Sequence, residues 1–64
     1  KMKETLRQNI ERMRADLVIR IDHLNNSVKE YKEADDFENA MKCDIKISQL
    51  KVVFDRIVEA LEYS

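Results

Sequence analysis

Glycine and proline are both missing from this chain of 64 residues, and cysteine occurs only once. Without glycine there is no glycine-rich loop to cradle a phosphate and no nucleophile elbow. Without proline nothing locks or breaks a helix from within. The single thiol, Cys43, cannot close an internal disulfide, so a reducing, cytoplasmic setting is the default. His23 is the one imidazole and has no second ligand at helical spacing, so no metal site is assigned. No catalytic residue and no cofactor site is assigned either, and an enzyme is not expected. No apolar run reaches membrane length or has the form of a signal-peptide core, so no membrane partner is expected.

What the chain does contain is charge and helix-forming residues. Charged residues make up 39% of it, and Ala, Leu, Glu, Lys, Arg and Met recur, all of them favourable inside helices. Thirteen acids nearly cancel twelve bases, so net charge gives little long-range attraction to a polyanion. A core this small rarely supplies more than ~3–5 kcal/mol without disulfides, metal or oligomerisation. One domain, residues 1–64, is therefore expected, and it has little interior in which to enclose a substrate.

Two apolar stripes fix the architecture. The first comprises Met2, Leu6, Ile10, Met13, Leu17, Ile21, Leu24, Val28 and Tyr31. Its steps are mostly 4, 4, 3, close to the natural helical period, and predict a nearly straight helix over about 3–33. Asn25-Asn26-Ser27 is a soft segment in it, since all three are poor helix formers, but the phase carries across. The second stripe, Ala40, Cys43, Ile47, Leu50, Phe54, Ile57 and Leu61, alternates steps of 3 and 4 in a coiled-coil-like seam. It predicts a helix over about 37–62. Between them lies a turn at about 34–36, in which Asp35 is expected to cap the second helix, with Glu38 completing an acidic capping box. Tyr31 and Phe37 are expected to pack the helices together near this turn. A loop so short makes the helices antiparallel neighbours. The fold class is all-α: an antiparallel two-helix hairpin, completed by self-association into a four-helix bundle.

Function is expected on the outer faces. Met41, Ile45, Val52, Val53 and Val58 fall outside the second seam, and Ile19 points away from the first stripe. Ile19, Met41, Ile45 and Val52 are the candidate partner-binding residues, for a second copy or a larger protein. The alternative is a small accessory factor that contacts nucleic acid. Lys3, Arg7, Arg14 and Lys32 project from one flank of the first helix, and such an edge can follow a phosphate backbone. Glu4, Glu11 and Asp22 beside it oppose a polyanion, and no aromatic platform for stacking bases is evident.

One stretch resembles a known family. Leu24 and Val28 before the turn, then Phe37, Glu38, Ala40, Ile47 and Leu50 after it, are similar to the pattern of the UVR hairpin. That short helical module lies near the ends of bacterial nucleotide-excision-repair subunits and in some protease-adaptor proteins. The family's Arg-Asp pair falls here on Asp44 and Ile45, an apolar position falls on Asp35, and an alanine position on Lys32. The resemblance covers under half the chain. It implies a protein–protein docking module, hairpin against hairpin, attached to DNA repair, recombination or proteolysis machinery.

Overall fold

The computed structural model describes residues 3–63. Two helices account for nearly all of them, α1 (Glu4–Glu33) and α2 (Phe37–Glu62), within a residue of the expected boundaries. They form an antiparallel hairpin measuring 49 × 15 × 11 Å. Among the described residues there is no strand, and no helix is long and apolar enough to cross a membrane. Met2, the first member of the α1 stripe, lies outside the described residues. α1 continues unbroken through Asn25-Asn26-Ser27. Packing overrides the poor propensity there, because Leu24 and Val28 on either side are held against α2.

The turn is built differently from the expected one. Asp36, not Asp35, caps α2: its Oδ1 accepts from the Asn39 backbone N–H at 3.3 Å. The Asn39 side-chain amide donates back to Asp36 Oδ2 at 2.7 Å. Glu38 takes no part in the cap and pairs with Lys42 one turn on, at 3.7 Å. Asp35 closes α1 instead. Its φ of 59° lies in the left-handed region, and its N–H donates to the Lys32 carbonyl at 3.1 Å. The Asp36 N–H donates to the Tyr31 carbonyl at 2.8 Å. This pair of bonds is the usual C-terminal closure of a helix, in which glycine normally holds the left-handed position. In a chain without glycine, aspartate is one of the few residues that tolerates it.

The tightest packing lies beside the turn. Val28, Ala40 and Ile47 are buried together, with Ile21, Leu24 and Cys43 half-buried around them. Ala40 is only 2% exposed, its methyl covered by this cluster. Every residue of the expected α2 seam is buried or half-buried, and Val58, expected outside that seam, is half-buried with it. The expectation that Phe37 packs against α1 near the turn is corrected. Phe37 is 59% exposed, whereas Tyr31 is partly covered, at 36% exposed. Phe37 is the first residue of α2 and lies about a quarter-turn from the seam, too far round to reach α1.

Candidate interaction surface

A two-helix layer has two flat faces, and here they differ in chemistry. On one face α1 and α2 border two open grooves that meet at Arg20. The larger, about 530 Å³, runs between Ile19, Arg20, His23 and Leu24 of α1 and Lys46, Gln49 and Leu50 of α2. The second lies towards the open end of the hairpin, with Met13, Asp16, Leu17 and Arg20 facing Val53 and Ile57. Leu6 and Met13, at 52% and 54% exposed, continue this face along α1, and Val53 at 46% does so on α2. By helical phase the opposite flat face carries Glu11, Arg14, Asp22, Asp44, Lys51 and Asp55, with Val18 and Phe37 among them, all exposed. The groove face thus carries the larger share of apolar side chains and the opposite face the larger share of charge.

The structure separates the four candidate partner-binding residues. Ile19 sits on the rim of the larger groove. Met41, Ile45 and Val52 are all more than half exposed, but they lie on the back of α2, about half a turn from the seam. They form a narrow stripe on one helix and do not join Ile19. Sequence reasoning missed the groove face itself: Leu6 and Met13 were assigned to the inter-helix stripe, and Asp16, Arg20 and Gln49 to no role. A signal was present. Leu6 and Met13, and again Leu24 and Tyr31, are seven residues apart and therefore share one edge of the α1 stripe. The stripe is wider than one partner helix can cover, and this edge is the part left over.

The basic edge is discontinuous. Lys3 precedes the first turn of α1 and Lys32 occupies its last turn, about 43 Å apart at helical rise. No member of the set lies in the roughly 27 Å between Arg14 and Lys32. Arg7 is engaged within the hairpin: its Nε pairs with Glu11 at 3.5 Å, and its Nη1 donates to the Leu61 carbonyl at 3.3 Å. Arg7, a member of the expected flank of α1, thus reaches the end of α2.

Among the described residues no three His, Cys, Asp or Glu side chains are grouped to hold a metal ion. Cys43 is a free, half-buried thiol in the seam, and His23 lines the larger groove. Comparison with family models, curated proteins and solved structures gives no match. The likeness of residues 24–50 to the UVR hairpin therefore rests on the residues that carry it.

Proposed function

We propose that this hairpin is a non-enzymatic protein–protein interaction and oligomerisation module that works through its groove face. The observation that carries this reading is the imbalance of its apolar residues. Among the described residues four are buried, Val28, Ala40, Ile47 and Leu61, while eleven large apolar or aromatic side chains are exposed. Several of the eleven converge on one face, as in half of a bundle. The setting we assign is cytoplasmic, in keeping with a lone free thiol. The UVR likeness adds to this proposal a place beside DNA repair or recombination machinery. The gap in the basic edge and the engagement of Arg7 favour protein over nucleic acid as the partner.

The test compares the wild type with a Met13→Glu/Val53→Glu variant. Both positions are about half exposed, so circular dichroism should show helicity retained. Sedimentation of the purified chain and capture from extract of its native host should show association with itself or another protein in the wild type, lost in the variant. A wild type that associates with no protein in either assay overturns the reading.

A further inference from the structure

Resting on the interaction-module reading, we infer that the groove face is covered by a second copy of this chain. The two copies lie antiparallel, with their turns at opposite ends and a two-fold axis crossing the hairpin at the level of Val53.

Three observations lead to this arrangement. The first is area. The flat side of the hairpin measures 49 × 15 Å between Cα extremes. That is roughly 700 Å² before side chains are added, close to the ~800 Å² per partner of a specific interface. Only an occupant that runs the full length of the rod uses all of it, and a second rod of the same length does so.

The second observation is the position of one charge pair. α1 spans Glu4–Glu33, so its midpoint falls between Val18 and Ile19. Asp16 and Arg20 flank that midpoint on the groove face and both border the smaller groove. They are one turn apart, yet they form no ion pair with each other. Antiparallel stacking of α1 on its copy, with the axis near this midpoint, sets Asp16 against the partner's Arg20. The same operation sets Arg20 against the partner's Asp16. That reciprocity is what a two-fold interface requires of its residues.

The third observation is what sits on the axis. Val53 shares the smaller groove with Leu17 and Arg20, which places it level with the midpoint of α1. A residue on a two-fold axis meets its own copy, and a charge there would repel itself. Val53 is apolar and about half exposed in the single hairpin. On the opposite flat face the apolar residue at this level is Val18, 43% exposed, and it is flanked one turn to either side by Arg14 and Asp22.

The experiment uses the full chain carrying Cys43→Ser, so that each introduced thiol is the only one. Under mild oxidation Val53→Cys should link most of the protein into covalent dimers, because across an axis between packed helices the two β-carbons come within disulfide range. Ile45→Cys, on the back of α2, should link at least about fivefold more slowly if the back is free, since its thiols meet only by collision. Sedimentation equilibrium of the wild type should give a dimer. Asp16→Arg and Arg20→Asp should each raise its dissociation constant severalfold, because two attractive contacts become repulsive. The combined Asp16→Arg/Arg20→Asp variant should return it to within about twofold of the wild type. A monomer at millimolar concentration overturns the inference, as does a dimer that links through Ile45→Cys faster than through Val53→Cys. A monomer that captures a different protein through the same face also overturns it, while leaving the interaction-module reading standing.

Discussion

The Arg7 guanidinium in the second turn of α1 donates to the backbone carbonyl of Leu61, 54 residues further along the chain, at 3.3 Å. The last carbonyls of a helix lack intrahelical partners and carry the negative end of its dipole. α2 has no basic residue in its own last turn, so the other helix supplies the cation. The contact ties the open end of the hairpin together beside the buried Leu61 side chain. Arg7→Gln is expected to lower stability by about 1 kcal/mol, since the side chain is partly exposed and the interaction is screened. Amide hydrogen exchange in the last turn of α2 checks this, and Arg7→Lys should restore part of the protection. Exchange unchanged in Arg7→Gln would show that the contact adds nothing.

Packing strength differs along the α2 seam. Ile47 is buried in the cluster beside the turn, while Leu50 is half-buried on the edge of the larger groove. In the monomer Ile47→Ala should cost roughly 2–5 kcal/mol and Leu50→Ala clearly less. Urea denaturation at low protein concentration measures the difference. Leu50→Ala should approach the cost of Ile47→Ala as concentration rises, because a second copy covers the groove. Equal costs at all concentrations would place Leu50 deeper than the structure has it.

The turn invites a stabilising change. Asp35 holds a left-handed conformation that is strained for any residue with a β-carbon. Asp35→Gly should raise stability by roughly 0.5–1 kcal/mol, and Asp35→Val should lower it by more than that. Asp36→Ala, which removes the α2 cap, should cost about 1 kcal/mol. Thermal unfolding followed by circular dichroism ranks the three, and a destabilising Asp35→Gly would contradict this account of the turn.

Nucleic-acid binding makes an opposite expectation testable. Four phosphate contacts by Lys3, Arg7, Arg14 and Lys32 would give a log–log salt slope of about −3 to −4 on duplex DNA. The gap in the basic edge and the acids beside it lead us to expect no measurable binding at physiological salt. Arg14→Gln/Lys32→Gln leaves the Arg7–Leu61 contact in place and is the suitable control. Tight binding lost in that variant would restore the nucleic-acid reading.

The two helices and their boundaries were legible in the sequence because periodicity and the absence of glycine and proline act locally. The α2 seam was legible for the same reason, down to the burial of Ala40 and Ile47. The capping residue was not. Asp35 and Asp36 are chemically alike, and only the backbone angle that closes α1 decides which of them is left to cap α2. Phe37 was misplaced because aromatic character suggested burial, whereas its phase on the helix dictates exposure. The groove face was hidden for a broader reason. An apolar stripe shows which side of a helix avoids water, but not how much of its width one neighbour covers.

The burial of Ala40 against Val28 also bears on how the chain reaches its fold. Val28 and Ala40 are separated by only about a dozen residues, so bringing them together closes a short loop at small entropic cost. Contacts further from the turn each close a longer segment, and Arg7 with Leu61 closes nearly the whole chain. The hairpin should therefore zip from the turn towards its termini, and rapidly, because its contacts near the turn are local. Substitutions beside Ala40 will then act mainly on the rate of folding, while those near Leu61 act mainly on the rate of unfolding.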